Sequence, residues 1–123
     1  MFRDNSDLAR IGEELAVEFL KKKDYKILER NFRTILGELD IIAKDKETIC
    51  FIEVKTRSSD KFGLPQESID RLKQRKLSQA AMIYLKDRNL LQKPARFDVV
   101  SVLNPQQDLK IDLIQNAFEI NVY

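Results

Sequence analysis

The 123-residue sequence predicts an α/β fold, a mixed central β-sheet flanked by helices, in the order α-β-β-β-α-β-β. Three observations carry that expectation. Two long segments place apolar residues at helical spacing, five shorter ones have the apolar, β-branched composition of strands, and two of those strands face each other across a short polar turn. No internal repeat, low-complexity run or Gly/Pro/Ser-rich linker interrupts the chain, so residues 1–123 are expected to fold as a single domain.

Ser6 or Asp7 can cap the first helix, in which Leu8, Ile11, Leu15, Phe19 and Leu20 recur at helical spacing with Gly12 and Ala16 on the same side; it runs to about Lys23. Tyr25 to Phe32 reads as the first strand. Gly37 to Ala43 and Thr48 to Thr56 form a hairpin turning over Lys44-Asp45-Lys46-Glu47. Ser58 to Pro65, carrying Gly63 and Pro65, reads as a loop. The second helix is placed from about Ser68 to Lys86, with Ile69, Leu72, Ala80, Ile83 and Tyr84 as its core side. Phe97 to Leu103 is the fourth strand, Asn104-Pro105 a turn, and Lys110 to Ile114 a short fifth strand. A hairpin combined with helices between strands requires a mixed rather than an all-parallel sheet.

Composition narrows the chemistry. With 43% hydrophobic and 34% charged residues the chain matches a globular protein rather than a disordered one. It has no run of about 18 apolar residues, and its start, Met1-Phe2-Arg3-Asp4, lacks a signal peptide's apolar stretch, so the expected location is cytoplasmic and no membrane partner is expected. Cys50, the single cysteine, sits inside the apolar run Thr48 to Ile52 and reads as a buried small hydrophobe. There is no histidine, which excludes Ser/His/Asp and Cys/His catalysis and His-ligated zinc. An enzyme built from this chain must work through carboxylates, lysine and a hard metal ion. The net charge of +2 does not mark a nucleic-acid binder, but basic residues cluster at Lys21-Lys22-Lys23, Lys26, Arg30 and Arg33 and again at Arg71, Lys73, Arg75 and Lys76. An ordinary solvated face would account for either cluster equally well.

The hairpin carries the chemistry. Its second strand is apolar at both parities, with Ile49 and Phe51 on one side and Cys50, Ile52 and Val54 on the other, the pattern of a strand covered on both faces. Glu53 and Lys55 interrupt it on the Phe51 side, where an ionised group costs several kcal/mol unless paired or bound to a metal. A two- or four-residue loop centred near Asp45-Lys46 puts even positions of the first strand on the face of odd positions of the second, so Asp40 meets Glu53. With the four-residue loop the two are expected directly opposite, with Cβ atoms roughly 5 Å apart, and Glu38 opposite Lys55. Carboxylates that close repel each other unless a cation or a proton sits between them. Mg²⁺ or Mn²⁺ suits a site of two carboxylates, because such ions keep several waters and accept phosphate oxygens. Lys55 can then orient an attacking hydroxide or stabilise charge at phosphorus. The same residues could instead form a salt-bridged polar face in which Lys55 pairs with Glu38 or Glu53 and nothing binds.

Gly37-Glu38-Leu39-Asp40-Ile41-Ile42-Ala43 followed by Phe51-Ile52-Glu53-Val54-Lys55-Thr56-Arg57 resembles the core of the YraN-like family of small bacterial proteins. That family is uncharacterised or predicted to be endonucleolytic, and is similar to archaeal Holliday junction resolvases within the PD-(D/E)XK superfamily. The resemblance covers nearly the whole chain: Gly12-Glu13-Glu14-Leu15-Ala16 matches the first-helix motif, Arg96-Phe97-Asp98-Val99-Val100 the fourth strand, and Lys73-Gln74 the second-helix pair. It implies a restriction-endonuclease-like core. It also implies Asp40 and Glu53 as metal ligands, Lys55 as the catalytic lysine, and Glu13 as a helix carboxylate approaching the metal. Periodicity alone gives Glu18 equal standing with Glu13. Nucleic acid is expected to meet Arg57, Lys73, Gln74 and Lys76. The resemblance also implies a histidine near Asn116-Ala117-Phe118; this chain has none, so any help such a residue gives to substrate binding is missing here.

The leading expectation is thus a Mg²⁺- or Mn²⁺-dependent endonuclease acting on DNA more readily than RNA, with branched or structured DNA of repair or recombination as substrate. The alternative is a nucleic-acid-binding module of the same fold without activity of its own. A third reading is a structural protein with a polar hairpin. A symmetric homodimer is expected from the two-fold symmetry of a junction, with Phe118 to Tyr123 as one candidate contact surface that could equally pack on its own core.

Overall fold

The computed structural model describes residues 5–58 and 69–120. Helix α1 (Asn5–Lys22) leads into strands β1 (Lys26–Arg33), β2 (Glu38–Asp45) and β3 (Thr48–Arg57); helix α2 (Arg71–Asp87) then precedes β4 (Ala95–Leu103) and β5 (Lys110–Phe118). The five strands form one sheet in sequence order. β3 and β4 run parallel, and the other three pairs are antiparallel. The mixed α/β sheet flanked by two helices is as the sequence predicts.

The helices lie on opposite faces. α1 packs Ala16, Val17 and Leu20 against Ile41, Ala43, Cys50, Ile52, Val100 and Val102. α2 packs Leu77, Ala80, Ala81, Tyr84 and Leu85 against Leu39, Ile42, Ile49, Phe51, Phe97 and Val99. Both faces of β3 are therefore covered, as its two-parity apolar pattern requires. Cys50 is fully buried, and burial pushes its thiol up to about 12, consistent with a packing residue. α1 lies so close to β3 that a Cβ at position 12 would overlap the Thr56 side chain, which makes Gly12 a requirement of the contact.

Several boundaries differ from expectation. α1 begins at Asn5, so Ser6 and Asp7 lie in its first turn rather than capping it. α2 begins at Arg71, not Ser68, because Asp70 is its N-cap and accepts the Lys73 amide at 2.8 Å. Its buried stripe is correspondingly Leu77, Ala81, Tyr84 and Leu85 with Ala80 between. Leu72, expected in the core, is 64% exposed because it shares a line with Lys76 and Gln79 on the flank of that stripe. The expected loop between Ser58 and Pro65 lies, apart from Ser58, outside the described residues, as do residues 121–123 of the C-terminal segment.

β5 is longer than expected because a bulge carries it past its polar residues. Register with β4 shifts between Phe97 and Val99, Asn116 takes a left-handed φ of 52°, and its amide donates to Asp98 Oδ1 at 3.0 Å. Asp98 is fully buried and is also gripped by Arg96 Nε, 3.0 Å from each carboxylate oxygen. Beyond the bulge, Phe118 stacks on Phe97 with ring centroids 4.5 Å apart, so the start of the C-terminal segment packs on its own core.

Candidate active site

The hairpin turn is tighter than the sequence suggests. It comprises Lys46-Glu47 alone, with Lys46 at a left-handed φ of 56°, while Lys44 and Asp45 belong to β2 and pair with Ile49 and Thr48. The turn is centred later than the expected Lys44-to-Glu47 loop. That later centre is what carries the register to Asp40 facing Glu53, whereas a four-residue turn over Lys44 to Glu47 would have aligned Asp40 with Phe51.

At that point the sheet forks. The β2–β3 ladder ends at Ile41 and Ile52, yet β2 continues pairing with β1 through Leu39 and Glu38, and β3 continues pairing with β4 from Glu53 to Arg57. In an unbroken two-residue hairpin the Val54 amide would donate to the Leu39 carbonyl. It donates instead to Asp40 Oδ2 at 2.9 Å. β2 also breaks its two-residue alternation here, since Leu39 and Ile41 pack against opposite helices. Asp40, Glu53 and Lys55 thus occupy the mouth of a gap between two strands of a covered sheet.

Each charged group at the fork is shaped by burial. Glu53 is 5% exposed and its Oε1 has no hydrogen-bond partner. Burial raises its pKa, the Asp40 charge raises it further, and Lys73 and Lys55 pull it back. Asp40 is half-buried; burial raises its pKa and the Glu13 charge adds to that, against the Val54 hydrogen bond and Lys73. Burial lowers the pKa of Lys55, and the adjacent Lys73 ammonium lowers it further, against Glu53 and Asp40. Among the described residues no carboxylate lies within 4.0 Å of the Lys55 ammonium. Glu38, expected opposite Lys55, follows β2 away from the fork and meets Arg33 Nε at 3.5 Å.

A cavity of about 430 Å³ opens between α1 and the fork, lined by Leu8, Glu13, Asp40, Val54, Lys55 and Thr56. Glu13 therefore reaches the same cavity as Asp40 and Lys55, while Glu18 is exposed elsewhere on α1. Glu13 Oε1 is held by Arg30 Nη2 at 3.2 Å and Asn31 Nδ2 at 3.0 Å, with Arg30 also reaching Glu14 at 2.7 Å. Among the described residues no three carboxylate or thiol side chains converge into a ready-made metal cage. Two carboxylates with water filling the remaining positions is the usual binding mode of Mg²⁺, and the donor set Asp40 and Glu53 fits it. The partnerless, buried Glu53 Oε1 is the atom such an ion would satisfy.

The basic residues divide differently from the sequence clusters. Arg30 and Arg33 are engaged with carboxylates, and Lys23 lies over the Phe19 ring. Lys73 turns inward, its ammonium 3.8 Å from Glu53 Oε2. Gln74 donates its side-chain amide to the Ile69 carbonyl at 2.9 Å, closing the start of α2. Lys76 is exposed, and Arg57 lies partly buried at the end of β3 beside Leu103. Sequence reasoning missed Asn31 and the inward course of Lys73. Both left a signal: asparagine is rare inside strands and tolerates the left-handed φ of 54° found here, and a lysine in a helix's first turn opposes the helix dipole.

The profile of the uncharacterised protein family UPF0102 matches residues 12–102, which span α1 to β4 and every residue of the fork. A UPF0102 protein of Desulfosudis oleivorans is 48% identical over 122 residues, covering 99% of this chain and 98% of its own. One from Caldicellulosiruptor saccharolyticus is 53% identical over 114 residues, covering 91% and 97%, and one from Geotalea uraniireducens 48% over 118 residues, covering 95% and 93%. The chain belongs to UPF0102, the YraN-like family whose hairpin and helix motifs it carries.

Proposed function

We propose that this protein is a Mg²⁺- or Mn²⁺-dependent endonuclease with a restriction-endonuclease-like core, hydrolysing phosphodiester bonds in DNA, and that branched or structured DNA is its substrate class. One observation carries the reading: the sheet forks where Asp40 faces Glu53, leaving a buried carboxylate oxygen without a partner beside a half-buried lysine. A carboxylate pair buried for structural reasons alone would be neutralised by tight salt bridges, and among the described residues the one cation within 4.0 Å of Glu53 stands 3.8 Å away.

Asp40 and Glu53 would hold the divalent ion, which when bound neutralises phosphate charge and acidifies a water for attack. Asp40 is aimed by the Val54 amide, so one of its oxygens is fixed and the other is left for a ligand. Lys55, facing the cavity, would orient the attacking hydroxide or donate to the phosphoryl oxygens as their charge grows. Glu13 forms the α1 wall, held in place by Arg30 and Asn31. Arg57, Lys76 and the start of α2 would meet the backbone of the nucleic acid, a term that weakens with salt. One copy of this domain has one such site, so paired cuts across a four-way junction would take a homodimer.

The test is incubation with duplex, flap, single-stranded and four-way junction DNA in Mg²⁺ or Mn²⁺, with Glu53→Gln as control and light scattering on the same samples. Cleavage that the control lacks is expected, strongest on the branched substrates and by a dimer. Binding without cleavage on every substrate would leave a nucleic-acid-binding module, and no calorimetric heat with Mn²⁺ would remove the metal site altogether.

A further inference from the structure

Lys73 is the one cation on α2 that turns into the site, and its placement has features that a simple salt bridge does not explain. Its backbone is pinned by the Asp70 cap, 2.8 Å from the Lys73 amide, so only the side chain can move. That side chain is 43% exposed, while the Glu53 side chain it reaches is 6% exposed, and the 3.8 Å separation is too long for a hydrogen bond. The lysine also stands at the positive end of α2, beside Arg71 and close to the Lys55 ammonium, where a cation is disfavoured. What holds it is the negative charge of the fork.

The charges at the fork make the occupancy exclusive. Asp40 and Glu53 contribute two negative charges when ionised, and Lys55 and Lys73 balance them. A divalent cation between the carboxylates would add two positive charges beside both lysines, only partly offset by Glu13 across the cavity, and this favours withdrawal of one lysine. Lys55 is anchored on a central strand, whereas Lys73 stands in the first turn of α2 with 43% of its side chain exposed, so it is the lysine able to withdraw.

We propose that Lys73 is a displaceable counter-ion: it guards the carboxylate pair until a divalent cation enters, then swings from Glu53 to a phosphate of the bound nucleic acid. The inference rests on the metal-site reading above and adds a coupling to it. Metal expels Lys73 from the fork, the expelled ammonium gains a phosphate partner, and metal and nucleic acid therefore bind with positive cooperativity through one side chain.

The experiment measures Mn²⁺ affinity by calorimetry for the wild type, Lys73→Gln, Lys73→Arg and Glu53→Gln, all without nucleic acid. Affinity for a short DNA duplex is then measured in chelator and in Ca²⁺. Lys73→Gln should bind Mn²⁺ about fivefold more tightly than the wild type, and Lys73→Arg, which keeps the charge, close to wild type. Its duplex affinity should fall in Ca²⁺ and change little in chelator. Unchanged or weaker Mn²⁺ binding by Lys73→Gln, in a wild type that does bind Mn²⁺ and loses it on Glu53→Gln, would overturn the counter-ion role alone. No Mn²⁺ binding by the wild type would overturn the metal site and this inference with it.

Discussion

Asp40 Oδ2 accepts the Val54 amide at 2.9 Å, so a side chain of one strand takes a hydrogen bond that the backbone of that strand would otherwise receive. The bond holds the fork open and aims the carboxylate at once. Those two roles separate by substitution. Asp40→Asn keeps an acceptor and removes the charge; it should fold with near-normal stability and lose Mn²⁺ binding and cleavage. Asp40→Ala leaves the amide without its acceptor and should cost about 1 to 3 kcal/mol as well, read from urea unfolding. Wild-type Mn²⁺ affinity in Asp40→Asn would show that this carboxylate is not a ligand.

Lys55 is predicted to act on the reaction and not on the metal. Lys55→Ala should slow cleavage by about 10²- to 10³-fold while calorimetric Mn²⁺ affinity stays the same or improves, since a positive charge has left the fork. Lys55→Arg should recover only part of the rate, because a planar guanidinium does not reproduce a compact ammonium. Near-normal turnover by the alanine variant would reduce this lysine to a surface charge.

Gly12→Ala should destabilise the protein even though alanine is the better helix former by about 1 kcal/mol. The added methyl would overlap Thr56, a short β-branched side chain on a central strand that cannot swing aside. Overpacking of this kind costs about 1 to 3 kcal/mol, and combining the change with Thr56→Gly should recover part of it. Equal urea midpoints for Gly12→Ala and the wild type would mean that the α1 contact is looser than described.

The carboxyl groups at the fork make the metal-free protein sensitive to base. Burial raises both Asp40 and Glu53 above their ordinary values of 3.8 and 4.5. Between the ordinary and the raised value the folded state holds more protons than the unfolded one, so stability from these groups falls as pH rises through that window. In chelator, urea midpoints measured from about pH 5 to about pH 9 should decline more steeply for the wild type than for Glu53→Gln, which has one fewer proton to lose. Parallel curves would place the raised pKa elsewhere in the molecule.

That Asp40 and Glu53 face each other was legible from the parity of the hairpin loop and from a charged pair inside an apolar strand, which requires a cause, although a loop over Lys44 to Glu47 would have paired Asp40 with Phe51. The fork itself was not legible. It depends on a carboxylate competing with a backbone carbonyl for one amide, and the apolar pattern of Glu38 to Ala43 is the same whether or not the ladder continues. Leu72 pairs with Ile69 at helical spacing in the sequence, but Asp70 caps α2 and leaves the buried Ile69 outside the helix, so that spacing does not put Leu72 on the buried side. The end of β5 was missed at Gln115 and Asn116, whose polarity reads as a terminus until Asp98 on the neighbouring strand supplies the partner that turns it into a bulge. Lys73 was read with its exposed neighbours because charge runs along a sequence do not distinguish the lysine that points inward.

The turn at Lys46-Glu47 lies six positions along β2 from Asp40, about 20 Å away in an extended strand, and touches none of the site residues. It nevertheless works as a ruler. The side chains of that turn are exposed, Glu47 accepting from Lys93 at 2.7 Å, and the left-handed backbone at Lys46 is its one demanding conformation. Its length cannot change: one residue more, with the tight turn kept, would slide β3 by one step, send Glu53 to the α1 face and bring Ile52 into its place. The chemistry at one end of the hairpin is thus addressed by counting residues at the other, and a single inserted codon there would erase the site while leaving every one of its side chains in the protein.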